Sequence, residues 1–334
     1  MKFGLFIAKQ HPPGVDMVER FREHLEQVRM ARGAGFDLVM TGQHYLSTPY
    51  QELQTMPALA RLAAEAGEMR VGAGVLLLPL LNPVDVAEQA ATLDVLTEGR
   101  FVLGVGVGYR SVEYEAFGVD PRDRVPRFLE ALELIVRLWS EDDVTHEGRF
   151  FKLTAASMAL RPVQRPRPPI WLAANSDRAV ERAARVGDAW FLNPHARLDV
   201  LSRQMTIYRS ALERAGKQFP PELPMLKELY VAPDRTSALR ECRPFLDAKY
   251  QTYTAWGQAD VLPGDDGWDP AFDALMRDRF IVGDPDDCVR DLRRYADELG
   301  VTTVVLRLQW PGMEQAKVLR SIALLRDEVL PRLR

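Results

Sequence analysis

The stretch VGAGVLLLPLLNPVDVAEQAATLDVLTEGRFVLGVGVGY, residues 71–109, contains the pattern that decides the fold. It begins and ends with short apolar, β-branched runs, residues 71–77 and 101–107, which predict two strands. Between them, the sequence NPVD that starts at Asn82 is a typical helix start, because asparagine is a good cap and proline suits the first turn. The stretch therefore predicts a strand, a helix and a second strand in succession.

The same alternation continues outward from this stretch over the rest of the chain. Helices are predicted where apolar residues lie three and four positions apart, as at Leu129, Leu132 and Val136. The predicted strands are residues 3–8, 36–40, 71–77, 101–107, 170–174, 189–192, 225–231 and 303–308. Eight strand–helix units of about 42 residues predict an α/β protein with a (β/α)8 or TIM barrel, one domain over 1–334. A doubly wound open sheet is the alternative, since alternation alone does not distinguish the two.

Composition and charge exclude several classes of protein. The 334 residues include 43 Lys and Arg against 47 Asp and Glu, so a net charge of −4 indicates no surface for nucleic acid. Hydrophobic residues make up 47%, which excludes a disordered or fibrous chain. The longest uncharged stretches have 14 residues and contain proline, too short to span a bilayer. With no secretory segment and with Cys242 and Cys288 far apart, we expect a cytoplasmic protein with reduced cysteines and no metal site.

Two insertions interrupt the alternation. Residues 143–165, after the fourth strand, contain THEGRFFKL, which predicts a small hairpin. Residues 251–280, after the seventh strand, contain GDDGWDP and predict a long loop before a helix at Asp284. Long loops in compact domains are commonly lids over a functional site or disordered segments. The aromatic residues of this loop that would cover a substrate, or alternatively anchor the loop by packing, are Tyr253, Trp256 and Trp268.

His44 is the candidate catalytic residue. It lies in the sequence TGQHY, residues 41–45, directly after the second predicted strand. In a barrel of this type, active sites lie at the carboxyl ends of the strands, so this histidine is placed to donate or accept a proton near a ligand. A histidine that caps the strand and is satisfied by the backbone is the alternative.

Small residues mark the third and fourth predicted strands. Ala73 and Gly74 have almost no side chain, so a flat ligand could lie against the backbone there; packing inside the barrel is the alternative. The run GVGVGY at 104–109 does not match the dinucleotide pattern G-x-G-x-x-G, because Tyr109 holds the third glycine position. Its glycines, Gly106 among them, indicate space beside a ligand.

The turn after the fifth predicted strand is a candidate anion site. Its sequence is AANSDR, residues 173–178, and it leads into a predicted helix over 179–186. Ser176 and successive backbone N–H groups meet the N-terminus of that helix, where the helix dipole favours negative charge. A serine that only caps the helix is the alternative, and the anion interpretation gains support where a phosphate is needed nearby.

Taken in order, these segments resemble the bacterial luciferase-like flavin-dependent monooxygenase superfamily. The resemblance covers nearly the whole chain, and the long stretch 71–109 is its most specific part. The other matching stretches are FGLF at 3–6, QHY at 43–45, AFGVD at 116–120, RPVQRPRPPIW at 161–171, AANS at 173–176, GDAW at 187–190, IVGDPDD at 281–287 and LQWPG at 308–312.

The resemblance implies a barrel whose cavity binds a flavin or the deazaflavin F420. It also implies a non-proline cis peptide between Gly74 and Val75 beside the flavin ring, and a phosphate received by the turn after the fifth strand. His44 would support the reactive flavin or act as an acid or base. The implied cofactor-binding residues are Phe6, Ala73, Gly74, Val75, Gly106, Tyr109, Ala174, Asn175, Ser176 and Arg178.

One position departs from the pattern of this superfamily. The luciferases proper bind the phosphate with an arginine near the end of the strand-four motif, and Val107 stands there in this chain. The resemblance therefore leaves the phosphate to Arg110 or Arg178, or to backbone amides and Ser176 alone.

The function implied by the resemblance is that of a two-component monooxygenase. Such an enzyme takes reduced FMN from a separate NAD(P)H:flavin reductase and uses O2 to oxidise a small organic substrate. The alternatives are an F420-dependent oxidoreductase that transfers hydride without O2, and a flavin-binding protein without catalysis. Relatives are commonly homodimers through the second and third helices, so we also expect a homodimer, with no nucleic-acid or membrane partner.

Overall fold

The computed structural model describes residues 1–264, 267–268 and 271–334, and a ring of parallel strands lies at its centre. In chain order, the eight ring strands within these residues are β1 (Lys2–Phe6), β2 (Leu38–Thr41), β3 (Arg70–Leu77), β4 (Phe101–Gly106), β5 (Ile170–Ala174), β6 (Ala189–Leu192), β7 (Pro224–Val231) and β8 (Thr303–Arg307). Each strand pairs with the next, and β8 pairs with β1. The pairing of β6 with β7 at Leu192 and Met225 completes the ring. The predicted barrel is confirmed, and the open sheet is excluded.

Helices surround the ring and connect its strands. The α-helices in the described residues are α1 (Met17–Gly33), α2 (Thr55–Ala66), α3 (Pro83–Leu96), α4 (Ser111–Ala116), α5 (Arg124–Ser140), α6 (Asp177–Val186), α7 (Leu198–Arg214), α8 (Arg235–Ala255), α9 (Phe272–Met276), α10 (Pro285–Leu299) and α11 (Gln315–Leu324). As predicted, Asn82 caps α3. Gly300 ends α10 in the left-handed conformation, which glycine adopts readily. None of these helices has both the length and the apolar character needed to cross a membrane.

The short strands outside the ring in the described residues are one hairpin that was predicted and three strands that were not. The hairpin is confirmed, because Val144–Glu147 pairs antiparallel with Lys152–Ala156. Gln10–His11 pairs with Gln51–Glu52, and Ile281–Gly283 pairs with the end of β7. These missed strands have two or three residues each, too few for an alternating pattern to be recognised in the sequence.

The prediction of a long loop over 251–280 was partly wrong. Helix α8 has 21 residues and runs through Ala255, so Tyr253 lies on a helix. Pro244 inside α8 obscured this helix in the sequence, since proline normally ends or kinks a helix. The short helix α9 lies further along, and residues 265–266 and 269–270 of the GDDGWDP stretch lie outside the described residues. A lid function for this segment stays a prediction.

Two buried histidines join α1 to the segment that follows β1. The Nε2 atoms of His11 and His24 lie 3.0 Å apart, so one ring donates a hydrogen bond to the other, and the accepting ring has to be neutral. Burial, together with smaller contributions from the neighbouring His11 and Lys9, lowers the pKa of His24 to about 3. Burial lowers the pKa of His11 to about 4, with a further contribution from Arg20. Both side chains therefore favour the neutral state in the folded chain.

This pair predicts a loss of stability in acid. A histidine that is neutral when folded takes up a proton on unfolding once the pH falls below its ordinary pKa of 6.5, so the unfolded state gains stability there. We expect the fall in unfolding free energy between about pH 7.5 and pH 5.5 to be smaller by about 1.4 kcal/mol in His24→Gln. Urea unfolding at both pH values measures this difference. Equal decreases in the free energy of unfolding in the variant and the wild type would contradict this prediction.

Candidate active site

A cavity of about 500 Å³ opens at the carboxyl ends of the barrel strands. His44 and the predicted cofactor-binding residues line it, with the exception of Ala73. The side chain of Ala73 is fully buried in the layer between strands and helices, because successive strand residues face opposite sides of the sheet. The side chain of Ala73 therefore faces away from the cavity, whereas its neighbour Gly74 lines it; a contact between the cofactor and the backbone of Ala73 stays a prediction.

Bare main chain forms one wall of the cavity. The peptide between Gly74 and Val75 is cis, as the resemblance implied, and the pairing of β3 with β4 shifts register just there. A Cβ atom on Gly104 would lie 2.1 Å from the carbonyl oxygen of Ala73, and one on Gly106 would lie 2.8 Å from Cγ2 of Val75. Glycine is thus required at both positions by close approach of the two strands. The result is a wall on which a flat ring system can lie.

A buried carboxylate holds His44. The Nδ1 atom of His44 lies 3.0 Å from Oε1 of Glu113, and the backbone N–H of Tyr45 donates to the same oxygen at 2.9 Å. With Nδ1–H donated to a carboxylate, the neutral ring keeps Nε2 available to a ligand in the cavity. Glu113 was not predicted from the sequence. Its position on α4, which follows a barrel strand, could have indicated a residue of the site.

Arg110 is tied to the His44 loop and does not line the cavity. Its Nη1 donates to Glu113 at 3.2 Å and to the carbonyl oxygen of Tyr45 at 2.6 Å, while Nη2 donates to the carbonyl oxygen of Leu46 at 3.0 Å. Its guanidinium also lies 4.0 Å from the ring centroid of Trp256. Both Nη atoms of Arg110 are thus engaged outside the cavity, so the structure favours Arg178, which lines the cavity, over Arg110 as the phosphate-binding cation.

Aromatic rings surround His44. The ring centroids of Tyr109, Tyr253 and Trp256 lie 5.8, 6.1 and 5.4 Å from that of His44. Trp268 differs, because it packs against Tyr250 at 4.7 Å; of the three loop aromatics, Tyr253 lines the cavity and the two tryptophans do not. Tyr109 has a deeply buried hydroxyl without a protein partner among the described residues, so this hydroxyl is available to a ligand. Two of the three aromatic residues predicted to cover the substrate thus lie beside the candidate catalytic histidine.

The N-terminus of α6 forms the anion end of the cavity. Ser176 is the residue that caps this ten-residue helix, yet its side chain makes no capping hydrogen bond. Its hydroxyl and the first backbone N–H groups of α6 are therefore available to an anion, which the helix dipole also favours. Asn175 and Arg178 line the cavity at the same place, as predicted.

Two arginines that sequence analysis missed extend this anion end. Arg124, at the start of α5, and Arg182, one turn after Arg178 on α6, also line the cavity. Among the described residues, none of these three arginines forms an ion pair with a carboxylate. Burial lowers the pKa of Arg182, and the nearby positive charges of Arg185 and Arg124 lower it further. A cluster of like charges without counter-ions indicates a site for a multiply charged anion such as a phosphate.

A second charged cluster lines another part of the cavity and was also missed. Glu228 is fully buried, and its Oε1 accepts from Lys249 at 2.6 Å and from Arg307 at 3.2 Å. Its Oε2 accepts from the indole of Trp310 at 2.7 Å. Burial alone would raise the pKa of Glu228, but the two cations hold it below its usual value. Burial lowers the pKa of Lys249 to about 7, although Glu228 opposes this shift.

Comparison with known sequences identifies the family. The sequence profile of luciferase-like monooxygenases matches residues 1–303. The chain belongs to the luciferase-like monooxygenase family. The resemblance inferred from residues 71–109 and the stretches around them is therefore confirmed.

Luciferase-like relatives of this chain differ in their chemistry. This chain is 28% identical to the oxygenase component of flavin-dependent trigonelline monooxygenase from Acinetobacter baylyi, over 77% of this chain and 72% of the relative. It is 30% identical to F420-dependent glucose-6-phosphate dehydrogenase from Beutenbergia cavernae, over 94% of both chains. The structure of the monooxygenase RslO1 from Streptomyces bottropensis superposes with a TM-score of 0.87 at 26% identity and covers both chains completely. Membership of the family therefore does not decide whether the cofactor of this chain is FMN or F420.

The residues of this luciferase-like cavity fit a flavin-type cofactor. Such a cofactor has a planar ring and an anionic tail, and the cavity has a bare main-chain wall beside Gly74 and an arginine-lined helix N-terminus at Ser176. The unpartnered hydroxyl of Tyr109 and the orphaned side-chain amide nitrogen of Asn193 also line it. These groups would hold the ring and the phosphate, while the pair of His44 and Glu113 lies close enough to the cavity to exchange a proton with a bound molecule.

Proposed function

We propose that this chain is the oxygenase component of a two-component, FMN-dependent monooxygenase that oxidises a small organic substrate in the cytoplasm. A separate NAD(P)H:flavin reductase supplies reduced FMN. One atom of O2 enters the substrate and the other leaves as water, and the two electrons required come from reduced FMN, which is released as FMN. The observation that carries the proposal is one cavity that joins a bare main-chain wall, a carboxylate-held histidine and a helix N-terminus near three arginines that form no ion pair within the described residues.

The residues of the chain have separate tasks in this proposal. Ser176 and Arg182 bind the phosphate, and the wall at Gly74 receives the ring. His44, oriented by Glu113, holds or delivers a proton at Nε2. Trp256 and the neighbouring aromatic rings keep water away from this proton-transfer group. The similarity to two monooxygenases, RslO1 at 26% identity and the flavin-dependent trigonelline monooxygenase at 28%, supports a flavin and O2 as the reactants.

Hydride transfer with F420 is the second candidate function. It is supported by the 30% identity to an F420-dependent dehydrogenase over 94% of each chain. The arginine-lined anion end also suits the phosphodiester of F420. The two candidates differ in reactants, since hydride transfer needs no O2.

A pair of titrations separates these functions. We expect anaerobic titration of the purified chain to give a Kd below about 10 μM for reduced FMN and a weaker one for F420. When a flavin reductase, NADH and a substrate are added, we expect the reaction to consume O2 and the product to carry one oxygen atom from ¹⁸O2. Tighter binding of F420, or product formed without O2, would favour the dehydrogenase instead.

The arginine cluster predicts a specific effect on phosphate binding. We expect Arg182→Gln to weaken the binding of reduced FMN by about 10- to 100-fold, because a charge-assisted hydrogen bond contributes about 1.5–3 kcal/mol. Riboflavin lacks the phosphate, so its affinity should stay unchanged. Arg185→Gln is the matched control, since Arg185 lies on the same helix but is exposed and outside the cavity. Equal losses for FMN and riboflavin would contradict a phosphate contact.

We also propose a homodimer through α2 and α3. Helix α2 carries small, outward-facing residues, Ala60 and Ala64, which would allow close packing against a second copy. Light scattering at working concentration measures the mass of the particle. A mass of one chain, 37.8 kDa, would contradict the dimer.

A further inference from the structure

The cluster around Glu228 has more positive than negative groups. Lys249 and Arg307 share this one carboxylate, which is fully buried. The other buried lysine of the cavity is different, because Lys9 has its own carboxylate in Glu52 at 3.2 Å and also donates to Thr55 at 3.3 Å. A buried cation without a full set of partners is unfavourable unless a ligand supplies the missing negative charge.

One edge of the Arg307 guanidinium, formed by Nε and Nη2, has no hydrogen-bond partner among the described residues. This is the free edge of Arg307. Its Nη1 donates to Glu228 at 3.2 Å, and the described residues offer its guanidinium no other hydrogen-bond partner. Its Nε is buried and unpartnered, and the side chain as a whole is 11% exposed, at a position that lines the cavity. In a planar guanidinium, Nε–H and one Nη2–H point the same way and form a fork that matches the two oxygens of a carboxylate. The free edge is therefore suited to a carboxylate.

The free edge lies in the same part of the molecule as His44. Tyr253 connects them, because its ring centroid is 6.1 Å from that of His44 and 4.4 Å from Nζ of Lys249. On its other side, the Arg307 guanidinium lies 4.3 Å from the ring centroid of Phe6, which also lines the cavity. The anion end at Ser176 is formed by different elements, α5 and α6. Two cationic sites in one cavity are thus available to two different anionic groups.

We propose that the substrate is a small organic carboxylate and that its carboxylate group binds the Nε–Nη2 edge of Arg307. This assignment rests on the proposed function for the oxidation step. The remaining, uncharged part of the substrate then extends past Tyr253 toward His44. A neutral substrate of the same shape would leave the edge of Arg307 buried without an acceptor, so it would bind less well.

Paired carboxylates and amides test the proposal without O2 or a reductase. The probes are butanoate, hexanoate, benzoate and phenylacetate, each compared with its primary amide by calorimetric or NMR titration of the full chain saturated with FMN. We expect the best carboxylate to bind at least about tenfold more tightly than its amide. We expect Arg307→Gln to remove this preference, while Arg307→Lys, which keeps the charge but lacks the fork, retains part of it.

A matched variant separates the two cationic sites. Arg124→Gln removes an arginine of the same cavity at the anion end, so it should leave the carboxylate preference intact and weaken FMN. The proposal is overturned if no carboxylate binds more tightly than its amide, if Arg307→Gln keeps the preference, or if Arg307→Gln weakens FMN and not the carboxylates. A carboxylate preference in a chain that binds F420 and not FMN would overturn the proposed function and leave the substrate assignment standing.

Discussion

Replacement of His44 by asparagine is expected to lower kcat for substrate oxidation by about 10²- to 10⁴-fold, the usual contribution of a positioned acid or base. The affinity for reduced FMN should stay close to that of the wild type, because the phosphate and ring contacts lie on other segments. Steady-state O2 consumption with a flavin reductase gives kcat, and anaerobic titration gives the affinity. Loss of kcat without loss of binding is the signature of a residue that acts on the reacting atoms.

The surface hairpin provides a matched control for this prediction. His146 lies 3.2 Å from Glu130, and its side chain is as exposed as that of His44, 16% in each case, but it lies outside the cavity. His146→Asn should therefore leave kcat unchanged. Turnover that survives in His44→Asn would remove the catalytic role and favour a flavin-binding protein without catalysis.

Glu113 acts through His44 and is a positioning residue. We expect Glu113→Gln to lower kcat by less than His44→Asn does, with KM little changed, because the amide can still bond to Nδ1 but does not fix the tautomer. The ¹⁵N chemical shifts of His44 report that tautomer directly, with Nδ1 protonated in the wild type and a mixture in the variant. A wild-type spectrum with the proton on Nε2 would contradict the assigned orientation.

Gly104→Ala is expected to have the second large effect. A Cβ atom at this position would lie 2.1 Å from the carbonyl oxygen of Ala73, so the backbone of β3 or β4 has to move. That backbone is the wall on which the flavin ring is proposed to lie. We expect a loss of about 1–3 kcal/mol in the free energy of unfolding, as for overpacked cores, together with a loss of FMN affinity. Urea unfolding and FMN titration measure the two effects.

A glycine in open space is the control for the added methyl group. At Gly33, the last residue of α1, a Cβ atom would meet no heavy atom within 4 Å, so Gly33→Ala should leave FMN binding unchanged and should not lower stability; a gain of up to about 1 kcal/mol is expected for alanine in a helix. The comparison excludes a general effect of replacing glycine by alanine. A Gly104→Ala variant as stable as Gly33→Ala, with normal FMN affinity, would show that the wall does not require the close approach of β3 and β4.

The candidate site was predictable where it depends on short segments of sequence. Gly74, His44 and Ser176 were each recognised from the few residues around them, and each lines the cavity. The side chain of Ala73 lies on the face away from the cavity, because successive residues of a strand face opposite sides of the sheet. Arg110 is engaged by Glu113, three residues away, and by the carbonyl oxygens of Tyr45 and Leu46, which lie 65 and 64 residues away and could not be predicted from its own neighbourhood.

The sequence by itself determined the alternation of strands and helices and the positions of most loops, because hydrophobic spacing and capping residues act over a few neighbouring residues. It did not distinguish a closed ring of strands from an open sheet. Only the tertiary structure decided which side chains share the cavity. Glu113 meets His44 across 69 positions, and Arg307 meets Glu228 across 79. Closing the ring of strands brings such residues together, and burial then determines their charge and their free hydrogen-bonding edges. Both effects depend on distances in space, which the spacing of residues along the chain does not encode.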